Sequence, residues 1–379
     1  MGKIRVLIVD DAVVIRRLVT RALNRDPALE VVGAAPNGRV ALDRLPELNP
    51  DVVLLDVEMP ELDGLATLAA LRQTHPRLPV IMFSRFTQRG VEATVHALTL
   101  GADDYVPKPG DGLEVGACIE QLLIPKIKLL CKRGAPSGTE VRLGSPDLPR
   151  TPREVGAASR AAQEVRLGSP DLPRTASGRP RIEAVALGTS TGGPNALAEV
   201  FRAFPADWSV PILIVQHMPP QFTSRLAERL SEQSQLRVRE AAAGDAVSSA
   251  HAWVAPGDYH LLVRREGTSV RLALNQEPPV HSCRPAVDVL FRSAAEVYGA
   301  GLLAVVLTGM GQDGRAGCER VRAAGGQVLV QDQASSVVGS MPGAVAEAGL
   351  ADQVLPLKDI GHEIVRRVRQ GRFPNGPRG

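Results

Sequence analysis

Short runs of branched aliphatic residues, most of them closed by a polar residue and followed by a stretch of helical periodicity, recur along most of this chain. In the first third they are IRVLIVDD, VVGAA, DVVLLD, PVIMFS and DDYVPKP. A strand that is apolar on both faces must be covered on both, and strands that alternate with helices run parallel. These runs therefore predict a parallel sheet between two helical layers. In the first helix Val14, Ile15, Leu18, Val19, Ala22 and Leu23 recur at helical spacing, Arg16, Arg17, Arg21 and Arg25 face away, and Asp26-Pro27 stops it.

After residue 181 the alternation resumes with IEAVALG, PILIVQH, HAWVAPG, SVRLALN, LLAVVLTG and GQVLVQD, with helical stretches at 195 to 203 and 286 to 297. RREGTSVRLALN reads as an antiparallel hairpin inserted among the parallel strands. The expected fold class is α/β, with two doubly wound parallel-sheet domains. Between them Pro, Gly, Ser, Arg and Glu replace the periodicity, which assigns 1–128 to the first domain, 129–180 to a flexible linker, 181–371 to the second domain and 372–379 to a basic tail. EVRLGSPDLPRT occurs at 140 to 151 and again at 164 to 175. Two copies are too few for a solenoid, so a duplication within a tether is expected.

The totals exclude several classes. The sequence is 44% hydrophobic and 22% charged, as in soluble globular proteins. A net charge of +3 and an aromatic content of 3% offer neither a steering field nor a stacking surface for nucleic acid. MGKIRVLIVDD lacks a sufficiently long signal-type apolar core and no 18-residue apolar run occurs, so neither export nor membrane insertion is expected and the cytoplasm is the expected location. Cys118, Cys131, Cys283 and Cys318 are too far apart for a CxxC pair and read as reduced thiols.

In doubly wound sheets, function collects beyond the carboxyl ends of the strands. In the first domain those positions carry Asp10, Asp11, Asp56, Ser84 and Lys108. Any one of the aspartates can be explained as a helix cap. Three converging carboxylates, however, repel one another unless a divalent cation or a lysine neutralises them, which suits Mg²⁺ and phosphoryl chemistry.

VDD, LLDVEMPELDGL, MFS and VPKP resemble the signature of a response-regulator receiver domain over residues 1 to 128. The resemblance implies a flavodoxin-like fold in which Asp56 accepts a phosphoryl group from a histidine kinase. It also implies that Asp10, Asp11, Asp56 and the backbone carbonyl of Glu58 hold Mg²⁺, that Ser84 and Lys108 contact the phosphoryl oxygens, and that Tyr105 is the aromatic switch position.

In the second domain GTSTGGP, residues 188 to 194, follows an apolar strand. Laid on the dinucleotide fingerprint it places Ser190 where a glycine must let the backbone approach a pyrophosphate, and no lysine follows as in a Walker loop. The second strand ends on His217 instead of the acidic residue that would bind a ribose, and VVLTGMGQDG supplies Asp313 beyond a third strand. Ser190, His217 and Asp313 on three loops of one sheet edge suit a hydroxyl nucleophile, its general base and the group that orients the base. Amides of Thr191, Met310 and Gly311 are candidates for stabilising the oxyanion. The expected chemistry is acyl transfer to water.

GTSTGGP, QHMPPQFT, APGDYHLLV, RPAVDVLF and LTGMGQDG, in this order, resemble the catalytic domain of the CheB-type protein-glutamate methylesterases. That resemblance implies a Rossmann-like domain with Ser190, His217 and Asp313 as its serine, histidine and aspartate. It further implies hydrolysis of γ-glutamyl methyl esters on chemoreceptors, deamidation of receptor glutamines by the same acyl-enzyme chemistry, a chemotaxis histidine kinase as phosphodonor, and no cofactor at the esterase site. The chain departs from the family at Arg85, Phe86, Cys283 and Ala286, and its linker is longer than usual.

Two other outputs fit a receiver: a nonenzymatic binding module, and a DNA-binding domain, against which the low charge and the lack of a visible helix-turn-helix count. His260 and Arg284 are further candidates for the cleft, and Asp288 reads as a helix cap. A nucleophilic role for Cys283 is set aside because nothing in the sequence places an activating group beside it. His75, His96, His251, His281 and His362 receive no role.

Overall fold

The computed structural model describes residues 2–85, 87–108, 119–132 and 180–370. Phe86, Cys118, both copies of the duplicated segment and the 372–379 tail lie outside the described residues.

The first domain begins β1 (Ile4–Val9), α1 (Val13–Leu23), β2 (Leu29–Ala35), α2 (Gly38–Leu48), β3 (Val52–Leu55) and α3 (Gly64–Thr74). It continues with β4 (Val80–Ser84), α4 (Gln88–Thr99) and β5 (Asp104–Pro107), and a wide π turn over Ile119–Leu123 leads into α5 (Ile124–Lys132). The five strands are all parallel in the order β2-β1-β3-β4-β5, each at the position of an expected run. Asn37, Asp63 and Thr87 cap α2, α3 and α4, accepting from the amides of Val40, Ala66 and Gly90. Asp56 is therefore free of that duty, while Asp10 Oδ1 accepts the amide of Ala12, the N-cap residue of α1, at 2.9 Å.

One expectation is corrected in α1. Val19, Ala22 and Leu23 are buried, but Val14 and Leu18 are 66% and 40% exposed. The apolar stripe is wider than the surface that the sheet and the π turn offer it.

The second domain comprises β6 (Ala184–Thr189), α6 (Gly193–Arg202), β7 (Ile212–Gln216), α7 (Phe222–Gln233), β8 (Arg237–Glu240), β9 (His251–Val254), β10 (His260–Glu266), β11 (Ser269–Asn275) and α8 (Val287–Tyr298). It ends with β12 (Leu302–Val306), α9 (Arg315–Ala323), β13 (Gln327–Gln331), α10 (Ser340–Glu347), β14 (Gln353–Leu355) and α11 (Leu357–Gln370). Seven parallel strands run β14-β13-β12-β6-β7-β9-β8. The first strand of the domain, β6, thus lies between β12 and β7, where the connections diverge.

Two strands escape the sequence pattern. β8 (RVRE) and β14 (QVL) are short edge strands, the first largely polar, with no buried run to announce them. The hairpin is real, but β10 and β11 form a sheet of their own outside the parallel one. Their buried Leu261, Val263 and Leu272 pack with Trp253 and with Leu290 of α8. Among the described residues no helix is long and apolar enough to cross a membrane.

The two domains share one apolar cluster, which includes Val91, Val95 and Tyr105 on one side and Met218, Phe222, Leu226 and Leu230 on the other. Tyr105 stacks on Phe222 with ring centroids 4.9 Å apart. Arg229 Nη1 donates to the Val95 carbonyl at 2.8 Å, and Asn195 Nδ2 to the Ala102 carbonyl at 3.1 Å. Helix α11 closes the second domain by lying on α6 at Gly361, where an added Cβ would stand 2.7 Å from Ala203 Cβ and 2.8 Å from the Val200 carbonyl. Gly361→Val is expected to cost about 1–3 kcal/mol by overpacking this contact, measured as a lower urea midpoint with an unchanged slope.

Candidate active site

The ends of β1, β3 and β5 bring Asp10, Asp56 and Lys108 together in a buried group. Lys108 Nζ stands 2.6 Å from Asp56 Oδ2 and 2.7 Å from Asp10 Oδ2, the latter an ion pair without the alignment of a hydrogen bond. Burial pushes Asp56 up to about 6, against the pull of Lys108.

Asp10, Asp11 and Asp56 each offer a carboxylate oxygen, all within 4.8 Å of one another, a hard-donor set that fits a divalent cation. Asp11, Asp56, Glu58, Ser84 and Arg85 line one small cavity of about 80 Å³. Glu58 turns its carboxylate toward Arg89 at 3.8 Å. Among the described residues the Ser84 hydroxyl makes only long contacts, 3.4 and 3.5 Å, to the carbonyls of Gly90 and Arg85, so it can turn to a new acceptor.

In the second domain β12, β6 and β7 are neighbours, and the loops beyond them carry Asp313, Ser190 and His217. Asp313 is buried, and its carboxylate accepts the amides of Val287 (2.7 Å), Asp288 (2.9 Å) and Gly314 (2.9 Å). Its Oδ2 also lies 2.8 Å from His217 Nε2. Burial by itself raises a carboxyl, but the imidazole and these amides hold Asp313 below its ordinary value. For His217 burial opposes the charged form, yet Asp313 and Cys283 outweigh it and push the imidazole up to about 9.

The backbone at Ser190 is tied on both sides: its amide donates to the Thr308 carbonyl at 3.1 Å, and its carbonyl accepts from Gln216 Nε2 at 2.9 Å. Gly309 permits the close approach, since a Cβ there would stand 2.9 Å from Ser190 Cβ and 2.2 Å from Met341 Sδ. Ser190 and His217 face one cavity of about 440 Å³ with Thr191, Met310 and Gly311, and no hydrogen bond joins the serine to the histidine. Of the three oxyanion candidates, Gly311 already donates its amide to Ser340 Oγ at 3.1 Å. Those of Thr191 and Met310 have no acceptor among the described residues.

The same cavity is walled by Tyr105, Val106, Pro107, Leu122 and Lys126 of the first domain. Lys126 donates to the Tyr105 carbonyl at 3.0 Å, and burial raises the Tyr105 phenol well above its ordinary value.

Sequence reasoning missed three contributors. Asp288 does not cap its own helix; its Oδ1 accepts the amides of Gly314 (2.9 Å) and Gly317 (2.6 Å) at the start of α9 and so anchors the loop that carries Asp313. His281, which received no role, lies 3.1 Å from Asp288 Oδ2 and lines the cavity. Cys283 Sγ lies 3.4 Å from His217 Nδ1. Asp288 links the start of α8 to the β12–α9 connection and Cys283 links the β11–α8 connection to the loop beyond β7, pairings that no local pattern records, while His281 reaches Asp288 within its own connection. Arg284 lines the cavity but is engaged with Asp258 (Nη2 to Oδ1, 2.6 Å), whereas His260 is fully buried, 3.2 Å from the Pro278 carbonyl, and does not line it.

Residues 185–364 match the family model for CheB methylesterase, and residues 6–119 match that for the response regulator receiver domain. Over 97% of this chain and 100% of the relative, the sequence is 52% identical to the protein-glutamate methylesterase/protein-glutamine glutaminase of Trichodesmium erythraeum. The chain belongs to the CheB methylesterase family. A protein of the same name from Nocardioides sp. is 46% identical over 98% of this chain and 97% of its own. The crystal structure of the Thermotoga maritima CheB methylesterase catalytic domain covers 49% of this chain and 98% of that one, at 40% identity and a TM-score of 0.48. Family membership decides among the three outputs in favour of a methylesterase domain, and the receiver precedes it in the chain.

A raised imidazole binds its proton more tightly in the folded state, so His217 contributes stability that is present below about 6.5 and lost as the pH rises through about 9. NMR titration of the His217 ring should give a midpoint near 9. Cys283→Ala should lower that midpoint.

Proposed function

We propose that this chain is a receiver-gated serine hydrolase acting on γ-glutamyl methyl esters, and on glutamine amides, in the cytoplasmic domains of chemoreceptors. The observation that carries the reading is the single cavity lined by Ser190 and His217, with Asp313 buried behind the imidazole, under a wall made by the receiver. The printed names of the relatives supply the substrate class.

In this reading the substrate carbonyl sits between Ser190 and the open amides of Thr191 and Met310. In its neutral form, the fraction of which grows as the pH rises toward about 9, His217 uses Nδ1, the nitrogen not engaged by Asp313, to take the Ser190 proton as Oγ attacks the carbonyl carbon. The serine–imidazole bond forms when substrate orders the site, as catalytic hydrogen bonds often tighten only in the complex. The two amides stabilise the oxyanion, and Gly311 is no longer assigned to it. As the C–O or C–N bond breaks, His217 returns the proton to the leaving methoxy oxygen, releasing methanol, or to the leaving amide nitrogen of a glutamine, releasing ammonia, and a water repeats the sequence on the acyl-serine. Asp313 keeps the imidazole oriented and stabilises it while charged.

Regulation begins at Asp56, whose carboxylate accepts a phosphoryl group from a chemotaxis histidine kinase. Asp10, Asp11, Asp56 and the Glu58 carbonyl would hold Mg²⁺, which neutralises charge on the transferring group. Lys108, now paired with both Asp10 and Asp56, and Ser84 turn to the new phosphoryl oxygens. Tyr105 lies one strand along, stacked on Phe222, so repacking around Ser84 and Lys108 alters the receiver wall of the cavity and opens it.

Methylated receptor and a small phosphodonor supply the test. Methanol release should rise with the donor, Asp56→Asn should lose the stimulation, and Ser190→Ala should lower the rate by at least about 1,000-fold. Unchanged release by Ser190→Ala refutes the nucleophile. Arg229→Met, which removes the bond to the Val95 carbonyl, should raise the rate without donor toward the phosphorylated value.

A further inference from the structure

The connection between β11 and α8 contains a tight turn. Val280 N donates to the Cys283 carbonyl at 3.1 Å and Cys283 N to the Val280 carbonyl at 2.9 Å. The two residues between them, His281 and Ser282, sit at φ of 51° and 61°, left-handed backbone that favours glycine, and neither is glycine. The turn carries the Cys283 thiol to the cavity wall, 3.4 Å from His217 Nδ1. The far nitrogen of that imidazole is 2.8 Å from the buried Asp313 carboxylate.

A thiol, an imidazole and a carboxylate in this order make the constellation that activates a cysteine, complete by distance although the chain carries a serine in the same cavity. The two other described cysteines stand in the opposite situation. Burial pushes Cys131 up to about 12 and raises Cys318 further, and neither has an imidazole partner among the described residues.

We propose that Cys283 is a modification site for soft two-electron oxidants, peroxides above all, and that its oxidation halts hydrolysis at Ser190. The second clause rests on the reading of His217 as the base for Ser190. In the step, His217 Nδ1 takes the thiol proton and the sulfur attacks one peroxide oxygen. The S–O bond forms, the O–O bond breaks, and the leaving hydroxide takes the proton from His217 and departs as water. The thiol is oxidised to a sulfenic acid and the peroxide is reduced. Hydrolysis stops because the S–OH is a far stronger donor than the thiol it replaces and holds Nδ1, the ring nitrogen not engaged by Asp313, so that Nδ1 no longer accepts the Ser190 proton. An added small thiol forms a mixed disulfide with loss of water, and a second thiol restores the cysteine.

The full-length protein and Cys283→Ala are treated with hydrogen peroxide, methanol release is measured before treatment, after it and after dithiothreitol, and sulfenic acid is trapped with dimedone and located by peptide mass spectrometry. The wild-type rate should fall about 100-fold, the contribution of a general base, with the adduct on Cys283, and should recover with dithiothreitol. The rate of Cys283→Ala, whatever its starting value, should change less than about twofold under the same treatment, well short of a lost general base. Iodoacetamide labelling of Cys283 should be faster than that of Cys131, which has no imidazole partner among the described residues, and should slow in His217→Gln. If that variant fails to fold, the wild-type comparison decides: labelling of Cys283 no faster than that of Cys131 overturns the proposal. The absence of an adduct, with Ser190→Ala still inactive, also overturns it and leaves the serine reading intact. Rapid oxidation of Cys283 that leaves methanol release unchanged refutes the link to hydrolysis, and with it His217 as the base.

Discussion

The buried carboxylate of Asp313 is the interaction on which the geometry around His217 depends. A charge removed from water is costly unless its lone pairs are filled, and here three backbone amides and the His217 imidazole fill them. Two of those amides begin α8 and one precedes α9, so the carboxylate ties two helix N-termini to the loop beyond β7. Asp288 reinforces the knot from the other side by accepting Gly314 and Gly317. The histidine is oriented by the same bonds that hold the loops, so site geometry and local stability are coupled.

The receiver repeats this logic with the opposite charge. Lys108 is buried between Asp10 and Asp56, and the group is tolerable because each partner compensates another. In the proposed switch, a phosphoryl group at Asp56 would change which oxygens Lys108 faces without removing its compensation. Because β5 lies beside β4 in the sheet and carries Tyr105 onto Phe222, the receiver strand ends abut the neighbouring domain at an aromatic contact, beside the bonds of Arg229 and Asn195 to the Val95 and Ala102 carbonyls.

Much of this was legible in the sequence. The strand-end positions of Asp10, Asp56, Ser84, Lys108, Ser190, His217 and Asp313 follow from apolar runs that end abruptly, since a parallel strand buried on both faces must give way to polar residues where it leaves the sheet. The absent glycine at Ser190 separated a hydroxyl-presenting turn from a phosphate loop. The edge strands β8 and β14 were not legible, because an edge strand needs little apolar surface. Nor was the exposure of Val14 and Leu18, because periodicity reports a face but not how much of it the sheet covers.

The chain by itself determined two parallel α/β units, the order of their strand-end residues and the chemistry those residue types permit, all of which follow from local periodicity and composition. Only the tertiary structure decided that Cys283 meets His217, that Asp288 anchors the loop of Asp313, that the Gly311 amide is engaged and that the receiver walls the serine cavity. These are contacts between segments tens to more than a hundred residues apart. Their partners are chosen by how the layers pack, and nothing in the spacing of either segment records the other.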